Sequence, residues 1–170
     1  MIKQLNRWDI DINDIQFEKM ELQGAGNGNG PWVAYGVHKR GDKIVKIPMF
    51  EESSGTNGLF SILSIIMPVL DNGGIAIIDE LETDLHPHMV DVLLDLFVQH
   101  DSNPKNAQLI FASHADWLMN LLHKSQIVLV DKTEDGSEAN RLSDLKGVQA
   151  RENYSARYRS GAYGGVPEFN

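Results

Sequence analysis

A four-residue apolar run, Ile75-Ala76-Ile77-Ile78, stops abruptly at two adjacent acids, Asp79 and Glu80, and this constrains the fold more than any other feature. A run this short, rich in β-branched residues, reads as a strand. Because it is continuous rather than alternating, it reads as a strand buried on both faces. Strands of that kind belong to parallel sheets. In α/β proteins, ligands gather at the carboxyl ends of such strands, which is where the two acids fall. The neighbouring segments extend the pattern. LFSILSIIMPVL (59–70) reads as a helix with Pro68 near its end. Met89, Leu93, Leu96 and Phe97 recur at helical spacing. QLIFAS (108–113) reads as a second buried strand, ADWLMNLLH (115–123) as a short helix and QIVLVDK (126–132) as a third strand. The alternation of strand and helix predicts an α/β fold with a parallel sheet.

Upstream, residues 10–22 are strand-like, and 23–31 form a glycine- and asparagine-rich loop. WVAYGV (32–37) and KIVKIPMF (43–50) read as two strands joined by HKRGD, with Gly41 suited to a positive φ. The sequence therefore divides into an antiparallel β-lobe, residues 1–50, and an α/β region, residues 51–170. The tail RENYSARYRSGAYGGVPEFN has no assignable periodicity. Trp8, Trp32 and Trp117 read as packing residues. The net charge of -9 argues against a wholly basic nucleic-acid module, although it leaves room for a local basic patch. The absence of cysteine excludes disulfides and thiolate chemistry. The N-terminus has no apolar core of a signal peptide, and the longest apolar stretches fall short of the roughly 20 residues of a membrane span. A cytoplasmic protein without membrane association is expected.

Three segments carry residue types suited to phosphate chemistry. Asp79 is placed to hold Mg²⁺ through water, and Glu80 to activate an attacking water. The alternative is a pair of solvated acids in a turn. His114, after the strand QLIFAS, is placed to donate a hydrogen bond to a γ-phosphate or to the attacking water; the alternative is a helix cap. Ser53, Ser54, Gly55 and Thr56 offer hydroxyls and N–H groups where a helix begins, which suits an anion; the alternative is a plain N-cap by Ser54 or Thr56. A different chemistry, a metal-dependent phosphoesterase, would draw on Asp79, Glu80, His86 and His114, with His86 and His88 as an H-x-H pair. Against it, His86-Pro87 can simply start a helix while His88 faces solvent. His38, His100 and His123 read as surface or helix-end residues. Arg151, Arg157 and Arg159 suit nucleic acid, a partner's acids or solvent.

Taken together, ESSGT, GIAIIDE, LETDLHP and FASHAD resemble the signature loop, Walker B, D-loop and switch-histidine segments of ABC-type (SMC/RecF-like) AAA family ATPases. The likeness is to bacterial ATP-binding proteins of the overcoming-lysogenization and Septu-like group, and YRSGAYGGVP is similar to the end of these proteins. The resemblance spans roughly residues 45–167. It implies an incomplete P-loop NTPase-like (RecA-like) parallel sheet, with ATP and Mg²⁺ as cofactors. It also implies that Asp79 supports Mg²⁺, that Glu80 is the catalytic base and that His114 senses the γ-phosphate. Ser53, Ser54, Gly55 and Thr56 would contact ATP on the opposite subunit, and Asp84 and His86 would lie at the subunit contact. The implied partners are a second copy arranged head to tail or a P-loop-bearing protein. A nuclease effector in phage defence and nucleic acid are further implied partners.

The sequence departs from the family in one respect. It contains no Gly-Lys pair, so a phosphate loop GxxxxGK[ST] is missing. GAGNGNGP lacks the lysine and the hydroxyl residue, and it reads as a linker. The expectation is the C-terminal half of an ATPase core that hydrolyses little ATP alone. A non-catalytic regulatory module of the same fold is the alternative.

Overall fold

The computed structural model describes residues 11–19, 30–134 and 136–164. Trp8, most of the Gly/Asn loop and the last residues of the tail lie outside the described residues. The chain forms two compact units, Met1–Ala112 and Ser113–Asn170.

The first unit opens with an antiparallel sheet of three strands, β1 (Asp14–Lys19), β2 (Trp32–Arg40) and β3 (Lys43–Pro48), in the order β1-β2-β3. The expected hairpin is present. Arg40 pairs with Lys43, and Gly41 turns the chain at φ 61, a left-handed conformation that costs glycine little. Trp32 departs from expectation. It is 66% exposed, and the Lys19 ammonium lies 5.5 Å from its ring centroid. A cation over an aromatic face accounts for a tryptophan left at the surface.

Helix α1 (Ser54–Asn72) follows a short 3-10 turn, Met49–Glu51. Its cap differs from both expected residues. Ser53 is the N-cap, and its hydroxyl accepts from Thr56 N at 3.2 Å. Leu59, Leu63, Ile66 and Leu70 make the buried stripe, spaced to fall on one helical face. Pro68 is accommodated inside the helix near its end, on the exposed side.

Strand β4 (Ile75–Ile78) pairs in parallel with β5 (Gln108–Phe111), and α2 (Pro87–Val98) connects them. Ile75 lies opposite Gln108, and Ile78 lies opposite Phe111. Burial of this sheet is one-sided. Ala76 is buried, but Ile75 is 55%, Ile77 76% and Ile110 52% exposed. The continuous apolar run therefore reflects two faces suited to burial, of which the described residues cover one. Asn103 orders the approach to β5. Its amide donates to the carbonyls of Phe97 and Ala107, each at 2.9 Å, and its carbonyl accepts from Ala107 N at 2.6 Å.

The second unit corrects the expectation for QIVLVDK. This segment forms β6 (Val128–Thr133), which pairs antiparallel with β7 (Gly136–Arg141), so it is not a third parallel strand. Val130 faces Ala139 across the pair, but β7, GSEANR, is too polar to be recognised by an apolar pattern. ADWLMNLLH contains the expected short helix, a 3-10 helix over Asp116–Leu121. The tail adds α3 (Tyr154–Arg159), and Tyr154 and Tyr163 join Met119, Ile127, Leu129, Leu142 and Val148 in a core. The tyrosines are thus structural. Tyr163 Oη donates to Glu152 Oε1 at 2.7 Å. Burial first, and the Glu152 carboxylate second, push the phenol up to about 12.

Arg157 and Arg159 pair within their own unit. Arg157 faces Glu152 at 3.5 Å. Arg159 holds the Asp116 carboxylate with two hydrogen bonds, Nη2 to Oδ1 at 2.7 Å and Nε to Oδ2. The hydrogen bond from Arg159 is the main reason that the Asp116 carboxyl lies below its usual 3.8. A lowered acid stabilises the fold above its unfolded value, and that contribution is lost as pH falls through its folded value. Arg159→Gln is therefore expected to lower the urea midpoint at pH 7. The gap to wild type should close at an acidic pH low enough to protonate Asp116 in both proteins. Denaturation curves at the two pH values check this, and a gap independent of pH would rule the ion pair out.

Candidate functional site

The site is a turn that begins where β4 ends. After Ile78 the ladder continues for one more step, with Ala112 N donating to Ile78 O at 3.0 Å and Leu81 N donating to Ala112 O at 3.4 Å. Leu81 is buried and pins the turn, while Asp79 and Glu80 on either side of the departing backbone are exposed. Strands β4 and β5 are parallel, so the acids stand at the carboxyl edge of the sheet, where an α/β protein places its ligands.

The turn is stiff. Thr83 N donates to Glu80 O at 2.9 Å, and Thr83 Oγ1 donates to Glu80 Oε2 at 3.2 Å. Leu85 N donates to Glu82 O at 3.1 Å. Glu80 and Asp84 adopt left-handed backbone conformations, with φ 50 and φ 61. Such conformations cost a non-glycine residue about 1–2 kcal/mol and persist only where the surroundings enforce them. Of the three non-glycine residues with positive φ among the described residues, Glu80 and Asp84 are two. Both are residues that the sequence marks for chemistry.

The turn ends at His86, the N-cap of α2, whose Nδ1 accepts from His88 N at 3.3 Å. Pro87 follows in the first turn, where its missing N–H costs nothing. The two imidazoles stand 5.3 Å apart, and His88 is exposed beside Asp91. Among the described residues no group of three or more histidines and acids is placed to hold a metal ion.

The start of α1 meets this turn. Ser53 and Thr56 hydroxyls lie 2.8 Å apart at the helix N-terminus, and Ser53 and Ser54 are exposed. A Cβ added at Gly55 would lie 3.4 Å from Asp84 O, and one added at Gly58 would lie 3.3 Å from Asp84 Cβ. The ESSGT loop and the Asp84 turn, far apart in sequence, are thus packed together, most closely at Gly58, where a side chain would crowd Asp84. Gly58 and Thr83 were not singled out from sequence. The signal for Gly58 was its spacing of three from Gly55, which puts both on one helical face. Thr83 carried no signal, because its partner is fixed by the turn.

His114 belongs to the second unit and is exposed there. The 3-10 helix that follows has Ala115 as its N-cap and no side-chain capping hydrogen bond, so His114 does not cap it, and Ser113 Oγ accepts from Ala115 N at 2.9 Å.

No match was found among curated proteins. A solved structure from work described as "Structural biochemistry of ATP-driven dimerization and DNA stimulated activation of SMC ATPases" is similar at a TM-score of 0.49 and 15% identity, over 76% of this chain and 74% of that one. A family model described as "AAA domain, putative AbiEii toxin, Type IV TA system" matches residues 4–120, a span that contains the whole 79–86 turn and the start of α1. The chain belongs to this AAA-domain family.

Proposed function

We propose that the chain supplies the signature and Walker B half of an ABC-type ATPase, acting on ATP and Mg²⁺ together with a P-loop-bearing segment or partner. The observation that carries this reading is the 79–86 turn. It presents Asp79 and Glu80 at the carboxyl end of β4 and rests Asp84 on Gly55 and Gly58 of α1. Asp79 fits a magnesium role. It is an exposed oxygen donor, and Mg²⁺ takes only one or two carboxylates when phosphates and waters complete its shell. When bound, the ion neutralises charge on the phosphates. Glu80 accepts the proton of the water that attacks the γ-phosphoryl group. His114 donates a hydrogen bond to that phosphate. Ser53, Ser54, Gly55 and Thr56 receive ATP held by the opposite subunit at a helix N-terminus. Asp84 and His86 lie at the subunit contact.

The exposed isoleucine face of the β4–β5 sheet supports the need for a partner, since parallel sheets are ordinarily covered on both faces. No described helix is long and apolar enough to cross a membrane. A cytoplasmic role, coupling to a nuclease effector in phage defence, and action on nucleic acid rest on family analogy. A second reading, a regulatory module without hydrolysis, draws on the absence of a Gly-Lys pair in the sequence. The test is ATP hydrolysis with Mg²⁺, by the chain alone and mixed with a P-loop-bearing half from a related protein. Hydrolysis in the mixture only is the expected result. No hydrolysis in either would favour the regulatory module, and hydrolysis by the chain alone would overturn the proposal.

A further inference from the structure

We infer that His38 and Glu52 are positioning residues of the nucleotide site, a latch that fixes the ESSGT loop against strand β2; the inference rests on the reading of that loop as the signature. His38 Nε2 lies 2.7 Å from Glu52 Oε1, and the two side chains are only 15% and 11% exposed. A pair so shielded from water holds its geometry better than a surface pair.

The placement of the pair gives it its effect. Glu52 immediately precedes Ser53, the N-cap of α1. Glu52 (φ -68, ψ 169) and Ser53 (φ -57, ψ 151) are both extended, so no helical hydrogen bonding carries across the joint. The backbone tie recorded for Glu52 is its N–H to Met49 O at 3.2 Å, which looks back into the preceding turn. The Glu52 side chain therefore adds a tie at the residue before the N-cap, beside the packing of α1 on the Asp84 turn.

It is held over the central strand of the lobe. A Cβ at Gly36 would lie 2.8 Å from Glu52 Oε1, 3.3 Å from Ile12 Cδ1 and 3.4 Å from His38 Nε2. Gly36 does not have a positive φ. Glycine stands there to make room for the carboxylate, not to turn the chain. On one side Gly36 pairs with Ile15 and on the other with Ile47, while His38 pairs with Val45. Asn13 locks the same stretch, its N–H donating to Val37 O at 2.8 Å and its Oδ1 accepting from Lys39 N at 2.7 Å. The latch thus ties α1 to a strand paired on both edges.

Amide hydrogen exchange on the full chain, with ATP hydrolysis in the P-loop-complemented mixture, tests this. His38→Leu is expected to speed exchange at Thr56–Gly58 by about tenfold, leaving Ile77 and Ile110 unchanged. In the mixture it should lower kcat by about tenfold. His38→Gln, which keeps an N–H donor, should restore both. If His38→Leu does not fold, Glu52→Gln provides the same local comparison. Three results would overturn the latch: unchanged exchange at Thr56–Gly58, acceleration spread equally to β4 and β5, or no rescue by glutamine. A wild-type mixture without Glu80-dependent hydrolysis would instead sink the ATPase reading. An active, Glu80-dependent mixture indifferent to His38→Leu would sink the positioning role alone.

Discussion

Glu80→Gln is expected to lower kcat of the complemented ATPase by about two to three orders of magnitude, with KM for ATP little changed. A positioned general base acts in the chemical step, so its loss shows in kcat rather than in nucleotide binding. Glutamine preserves the size of the side chain and an oxygen that can accept from Thr83 Oγ1, as Glu80 Oε2 does at 3.2 Å. The left-handed backbone of residue 80 is unchanged by the substitution, and the side chain is exposed, so the fold should be spared. Steady-state kinetics of wild type and variant, with thermal unfolding as a control, check the point. A variant with wild-type kcat would mean that the two acids are only a solvated turn, and the Walker B reading would fall with them.

Leu63→Ala is expected to destabilise the first unit by about 3 kcal/mol, while Ile65→Ala on the same helix should cost less than about 1 kcal/mol. Leu63 is fully buried in the stripe of α1, and removing its branch leaves a cavity in addition to the lost burial. Ile65 is half exposed and off that stripe. Two compact units can unfold separately, so the appropriate observable is hydrogen exchange of residues 59–111 rather than a single global transition. Equal losses at the two positions would show that the outward face of α1 is covered in solution.

The site was legible to the extent that its chemistry is local. The jump from Ile78 to Asp79-Glu80 marks a strand end, and the sequence alone locates the acids at a carboxyl edge. His86-Pro87 announces a helix start, and His86 is indeed the cap. The cap of α1 was harder to read, because Ser53, Ser54 and Thr56 lie within four residues and compete for it, and the winner, Ser53, depends on where the 3-10 turn before it stops. The partner of QIVLVDK was not legible. GSEANR has no apolar alternation, and it becomes a strand by hydrogen bonding its backbone to β6.

What the sequence determined by itself follows from periodicity and from residues with narrow backbone preferences. These are the buried stripe of α1, the parallel pairing of strands joined by a helix, the Gly41 hairpin and the exposure of Asp79 and Glu80. The tertiary structure alone decided which long-range neighbours meet. It set the Asp84 turn against Gly55 and Gly58, laid Glu52 over Gly36 within reach of His38, and turned the tail tyrosines into core. It also left Ile75, Ile77 and Ile110 exposed on β4 and β5. The division has a physical cause. Backbone propensity and hydrophobic period act within a few residues, whereas close approach and ion pairing depend on which surfaces the fold presses together.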